Sequence, residues 1–235
     1  MTPKKQVALM VGIFSALGIG VSVGIIAFGG GFSGGGGNIF DPPSQADIYT
    51  VGAAVTDGME LNYTVTARGE SSSLADSDVS IKFDAAEGDN WLTSFYVVNG
   101  TSTVAQPVQF DIILSKELTK EGQTDASVRP YLEPIESSVM AIRDMDYGGR
   151  DKYLVVGAPW DTIFYGSSST VVRVTSEETV QTPAGTFNAF VLSYQLQDRT
   201  SRIWVVRDLP FPVKAEVYDP SDQLLYRYEL VGLQR

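Results

Sequence analysis

The side chains in this 235-residue chain that could do chemistry are nearly all oxygen-bearing: 28 Asp and Glu, 11 Tyr, and the Ser and Thr hydroxyls, set against 17 Lys and Arg. Histidine and cysteine are both absent. That removes thiolate chemistry, disulfides, imidazole-based zinc and copper sites, haem ligation by histidine, and every Ser-His or Cys-His nucleophile pair. A lysine-activated serine would need Ser-x-x-Lys, which does not occur, and "GSSST" is no G-x-S-x-G elbow. What remains is a pair of carboxylates converging from distant strands, as in a carboxylate-based hydrolase. The sequence singles out no pair among its acids, and a solvated acidic surface is the simpler account. No catalytic residue and no cofactor is assigned. Asp144, Asp146 and Asp151 in "DMDYGGRD" bring oxygen ligands close in sequence, but the Glu that closes an EF-hand loop is missing, so no metal is assigned either.

Two sequons, Asn62-Tyr63-Thr64 and Asn99-Gly100-Thr101, are glycan acceptors in a cell that glycosylates. Asn62 alternates with Leu61 and Tyr63, and Asn99 falls at a hairpin tip, so both are expected to be exposed.

Three segments carry these residues. The first, 1–28, holds "VALMVGIFSALGIGVSVGIIAF" from Val7 to Phe28 without a charge. At about 1.5 Å per residue this run spans roughly 33 Å, the thickness of a hydrocarbon core, and predicts a single transmembrane helix. Lys4 and Lys5 before it predict a cytoplasmic N-terminus and an extracytoplasmic remainder. A cleaved secretory signal is the competing reading, although the run is about twice the usual apolar length of one. Gly12, Ala16, Gly20 and Gly24 recur every fourth residue and form a ridge on which a second helix backbone could pack closely. The bland account is that glycine is common in membrane helices. The second segment, 29–46, opens with "GGGFSGGGGNIFDPP", a flexible tether stiffened by its prolines. No strand precedes it and no Gly-Lys-Ser/Thr ends it, so it is not a phosphate loop.

The third segment, 47–235, is expected to be one extracytoplasmic β domain. "MELNYTVTA", "VSIKFDA", "WLTSFYVVN" and "VQFDIIL" alternate with period two, placing Met59, Leu61, Tyr63, Val65, Val79, Ile81, Phe83, Val108, Phe110, Ile112 and Leu114 on one face. Asn99-Gly100 signals a tight two-residue hairpin. From Pro134 to Met145 the spacing of Ile135, Val139, Ile142 and Met145 predicts an amphipathic helix ended by Gly148-Gly149. Ile135, Val139 and Ile142 either pack on the sheet or line an apolar cavity beneath the helix. Beyond it, "TPAGTF" predicts a hairpin through a type I turn and a left-handed glycine, and reversals at Asp198-Arg199, Leu209–Pro212 and Asp219–Asp222 leave a meander of strands near 187–196, 201–207, 213–219 and 223–232.

"GTFNAFVLSY", "SRIWVVRDLPFPVKAEVYD" and "LLYRYELVGL" resemble the C-terminal strands of LolA/LolB-like half-barrel proteins, over roughly Thr175 to Leu233. The resemblance implies an extracytoplasmic antiparallel sheet curled around helices, whose concave face in several members holds acyl chains or other amphipathic ligands.

After Phe28 the chain carries 15 basic against 28 acidic residues, a net charge of −13, which repels nucleic acid and anionic headgroups. The expected fold is mainly β (α+β): a transmembrane helix, a Gly-rich tether, then one curled antiparallel sheet with one amphipathic helix packed on it. The expected function is that of a single-pass, membrane-anchored, extracytoplasmic and non-catalytic interaction protein, an accessory subunit or surface module beside another membrane or surface protein. The alternative is a binder of lipid or another amphipathic ligand in a half-barrel cavity. An acidic exterior without cysteine suits an archaeal surface.

Overall fold

Alternating apolar residues give the described part of the chain thirteen strands. The computed structural model describes Ser44 and residues 47–68, 74–100, 106–145, 152–165 and 168–235, all within the unit Pro42–Arg235. In chain order the strands are β1 (Ile48–Tyr49), β2 (Glu60–Ala67), β3 (Ser77–Ala85), β4 (Trp91–Asn99), β5 (Val108–Leu114), β6 (Lys120–Glu121), β7 (Lys152–Tyr153), β8 (Pro159–Tyr165), β9 (Ser168–Thr182), β10 (Gly185–Gln195), β11 (Thr200–Val205), β12 (Lys214–Tyr218) and β13 (Leu224–Gln234). The helix α1 spans Arg129–Glu136. Eleven strands form one antiparallel sheet in the order β6-β5-β4-β3-β2-β13-β12-β11-β10-β9-β8, and β1 pairs with β7 separately. No helix among the described residues is long and apolar enough to cross a membrane. The expected helix at Val7–Phe28 with its ridge of Gly12, Ala16, Gly20 and Gly24, and nearly all of the tether, lie outside the described residues.

Local turn chemistry makes most of this order. Each short reversal forces sequential strands to pair, which produces the meanders β2 to β6 and β8 to β13. β13 then pairs with β2, from Tyr226 opposite Ala67 to Gln234 opposite Glu60, and joins the two meanders into one sheet. The sheet curls. Three ladder steps in a flat sheet would hold β10 and β13 roughly 14 Å apart, yet the Ala184 amide in the β9–β10 turn donates to the Leu230 carbonyl of β13 at 3.4 Å. The long β9–β10 arm reaches past the ends of β11 and β12 and folds back across them.

The predicted inner face is the observed one. Leu61, Tyr63, Val65, Val79, Ile81, Phe83 and Leu114 are at most 1% exposed, and they join one buried cluster with Tyr228 and Leu230 of β13 and Ile203 of β11. Aromatic rings line it: Phe95 stacks on Phe110 at 5.1 Å, and Tyr63 meets Tyr228 edge-on at 5.7 Å.

Two expected elements differ. Asn99-Gly100 makes no two-residue hairpin: β4 runs on along β3 to the Asn99–Ser77 pair, whereas β5 first meets β4 at the Val108–Val97 pair. Gly100 serves instead as a close-approach residue, its amide donating to the Asp76 carbonyl at 2.8 Å, and a Cβ there would lie 2.3 Å from that oxygen. The helix also starts earlier than its apolar spacing suggested. α1 begins at Arg129 with Pro130 in its first turn, Pro134 lies inside it, and the chain leaves it as turns and a 3-10 segment at Ala141–Arg143. Ile135 is therefore the only one of the four expected stripe residues within α1, and Val139, Ile142 and Met145 follow it. Proline at a helix start is favourable at Pro130 as at Pro134, so the first of the two sets the boundary. Arg143 ties the exit to the end of α1 and to the β5–β6 connection, bonding Glu136 at 2.7 Å and the Leu118 carbonyl at 3.3 Å.

The buried tyrosines differ in how well their hydroxyls are served. Tyr49 donates to the Pro210 carbonyl at 2.9 Å, but the Tyr63 hydroxyl has no partner among the described residues. Tyr63→Phe is therefore expected to be neutral or to stabilise by about 1 kcal/mol, and Tyr49→Phe to destabilise by about 1 kcal/mol. Urea unfolding of the full chain reads both, and a loss of more than about 1 kcal/mol in Tyr63→Phe would contradict the orphaned hydroxyl.

Candidate functional site

The first residues after the tether build one wall of a cleft. The Ser44 amide and hydroxyl both donate to the Asp47 carboxylate, at 2.9 and 2.8 Å. These bonds hold the Asp47 carboxyl below the usual carboxylate range. The chain continues through β1 into a turn at Val51–Ala54, and Ile48, Tyr49, Thr50, Ala53, Ala54, Thr56 and Met59 line the recess that results. Gly52 sets that turn, with φ of +79° and a position so close to the Lys116 carbonyl that a Cβ would lie 2.0 Å from it.

The facing wall carries charge. Arg207, Asp208 and Arg235 complete the cleft, whose volume is about 440 Å³. The Arg207 guanidinium lies over the Phe190 ring at 5.5 Å, with the Asp47 carboxylate 3.7 Å away. Arg235 donates to the Asp208 carbonyl at 3.3 Å. The lining thus mixes apolar Ile48, Ala53, Ala54 and Met59 with polar Thr50 and Thr56, and its two arginines are balanced by Asp208 and by Asp47 on Arg207.

A second recess, about 300 Å³, lies at a bulge in the β9–β10 pairing. Val191 faces Ser176 and Leu192 faces Val174, so Thr175 is the extra residue. Its hydroxyl reaches the Val191 carbonyl at 3.2 Å and the Ser193 hydroxyl at 2.9 Å. Glu178 and Arg202 also line this recess. Trp204 stands beside it on the face opposite Ile203, its indole N–H donating to Glu178 and its ring beneath Lys214 at 5.7 Å. The indole is closed off as a stacking platform.

The sequence-predicted positions fall elsewhere. Ile135, Val139 and Ile142 are at most 2% exposed and belong to the core cluster with Leu132 and Met140. Neither recess includes them. Asn62 and Asn99 are half-buried rather than exposed. Asn62 lies over Gly232, where a Cβ would come within 3.1 Å of its carboxamide nitrogen, and Thr64 donates to Asp78 at 3.1 Å. Asn99 extends the β3–β4 ladder instead of capping a hairpin, and Thr101 lies outside the described residues. Asp144 pairs with Arg143 at 3.3 Å, and Asp146 and Asp151 lie outside the described residues. The cleft itself escaped sequence reading. Arg207-Asp208 looks like an ordinary turn, and only the fold brings it to Ile48 and Arg235.

The largest pKa displacements belong to tyrosines. Burial pushes Tyr49, Tyr63, Tyr226 and Tyr228 well above the ordinary phenol range. These rings are packed in the core and hold their protons.

No protein-family model and no curated protein matches the sequence. Among solved structures, the chain is similar to an exported protein with a YmcC-like fold from Bacteroides fragilis, at 10% identity and a TM-score of 0.39, covering 80% of this chain and 100% of that one. It is also similar to the MucA/MucB complex of Pseudomonas aeruginosa, at 14% identity and a TM-score of 0.43, covering 79% of this chain and 54% of that one. For MucB alone the identity is 12%, the TM-score 0.42, and the coverage 79% and 55%. The chain thus spans about half the length of the MucB chains it matches.

Proposed function

We propose that this protein is a membrane-tethered, extracytoplasmic and non-catalytic interaction domain that works by binding another protein. The observation that carries this reading is the destination of the chain's own apolar side chains. Leu132, Ile135, Val139, Met140 and Ile142, with Leu209 and Phe211 from the β11–β12 connection, are buried with the inner face of the sheet. A side chain so enclosed makes dense contacts with its neighbours, and recognition then falls to the exterior. This favours a surface interaction over an amphipathic ligand held beneath the helix. The exterior supports the same reading: its charges alternate across strands, with Arg202 opposite Glu216, Glu216 opposite Arg227, and Lys214 opposite Glu229. Such cross-strand pairs stabilise a solvated sheet face. The uncharged run Val7–Phe28 supports the anchor, and the excess of acid beyond it argues for a protein partner over nucleic acid.

Lysine-directed cross-linking of the intact chain in its native membranes, read by mass spectrometry, tests the proposal. Lys82, Lys116 and Lys214 are expected to link to one recurring second polypeptide. Links confined to the chain itself, together with one equivalent of co-isolated lipid, would favour the ligand reading instead.

A further inference from the structure

We infer that Asp161 is a gatekeeper at one edge of the large sheet, and that what it holds off is edge-to-edge pairing of β8 with β8 of a second copy of this chain. The inference goes beyond the interaction reading above and does not depend on it.

The two edges of the sheet are built differently. β6 is two residues long and both are charged, Lys120 and Glu121, so it offers little for another strand to pair with. β8 is seven residues long, and among the described residues no strand follows it in the sheet. Its second half, Thr162 to Tyr165, has no charged residue, and Phe164 is 61% exposed, the highest value for a large apolar side chain among the described residues. An edge of that length and composition is a template for pairing.

The first half of β8 carries the protection. Pro159 has no amide to give to a ladder. Trp160 is the extra residue of a bulge, since Pro159 faces Arg173 and Asp161 faces Val172. Val172 is buried in the core, so Asp161, paired with it, stands on the inner-face side of the strand, where a charge at a sheet edge disfavours further pairing. Its Oδ1 accepts the Thr162 amide at 2.6 Å, which occupies a donor in the middle of the strand. Asp161 is also the only charged residue between Tyr153 and Val172. Without it the strand keeps only its proline and its bulge.

Charge and symmetry make a second copy the occupant. On a domain with so large an excess of acid, this nearly uncharged run is where two copies approach with the least repulsion. Antiparallel pairing of one edge with itself is two-fold symmetric, so the strand is its own complement. A pair centred on Thr162 would set the two Asp161 residues on a ladder diagonal, roughly 7–8 Å apart and within a Debye length, where like charges repel. It would also require each carboxylate to release its Thr162 amide.

The chain has no cysteine, so a single one introduced at Thr162 reports on this edge. The test uses the full chain in phosphatidylcholine vesicles under mild oxidation and reads the yield of disulfide-linked dimer. Thr162→Cys alone is expected to give little dimer, and Asp161→Ala in that background at least about fivefold more. Adding Phe164→Lys returns a charge to the strand and should bring the yield back to its starting level. Lys120→Cys, on the opposite edge, should give the same yield with and without Asp161→Ala, whereas misfolding would raise both positions. No rise at position 162, an equal rise at position 120, or a rise that Phe164→Lys leaves in place would each overturn the assignment.

Discussion

Gly52→Ala is expected to destabilise the domain by at least about 2 kcal/mol and to distort the cleft wall formed by Ala53 and Ala54. Two costs combine. With φ of +79° the residue sits in left-handed backbone, which costs a non-glycine residue roughly 1–2 kcal/mol. A Cβ would also lie 2.0 Å from the Lys116 carbonyl oxygen and 3.1 Å from its carbon, so backbone must move. Gly58 provides the control, since its φ is also +79° but nothing stands within 4 Å of an added Cβ. Gly58→Ala carries the conformational cost alone, and the difference between the two variants in urea unfolding isolates the close approach. Equal losses would mean that the Val51–Ala54 turn is not pinned against the residues before β6.

The domain is expected to unfold cooperatively as pH rises beyond about 10. Tyr49, Tyr63, Tyr226 and Tyr228 are pushed up by burial, the last two and Tyr63 also by neighbouring tyrosines. The sign follows from linkage. In the unfolded chain these phenols ionise near pH 10, while in the folded one they keep their protons. Folded-state stability is therefore fully present below about pH 10 and is lost as pH climbs towards the raised values, because the unfolded state gives up protons that the folded state retains. Each such group costs about 1.4 kcal/mol per pH unit, so four together cost about 5 kcal/mol per unit, comparable with the whole stability of a domain. Circular dichroism should then be lost in one cooperative step, with a jump in tyrosinate absorbance at the same pH. Replacing Tyr63 and Tyr228 with Phe should move the step to higher pH, since fewer groups resist ionisation. Dichroism that stays unchanged while the whole tyrosinate absorbance develops would contradict the burial.

Period-two alternation made the strands legible, because a half-buried strand must alternate. β2, β3, β4, β5 and β10 to β13 appear within about two residues of where Leu61, Ile81, Phe95, Ile112, Leu192, Ile203, Val217 and Tyr228 would place them. The TPAGTF turn was equally clear, since Thr182 pairs directly with Gly185 around Pro183 and Ala184. Asn99-Gly100 misled because glycine serves two needs, positive φ and close approach, and a dipeptide does not reveal which one applies. The early start of α1 was hidden by two prolines, either of which could open a helix. Trp204 lies on the face opposite Ile203, where it packs through Glu178 and Lys214. The cleft was illegible because its parts are local turns, Val51–Ala54 and Arg207-Asp208, far apart in sequence. Nothing in their spacing announces that β1, the start of the β11–β12 connection and the end of β13 converge.

The central claim is that this domain works by holding another protein on its surface. A photo-cross-linking residue placed at Ala53, on the cleft wall, in the intact chain in its own membranes addresses it most directly, with Gln109 on the outer face of β5 as the comparison position. Ala53 is predicted to give one discrete adduct with a second polypeptide that is absent from Gln109. Adducts to lipid alone at Ala53, or the same pattern from both positions, would contradict the claim.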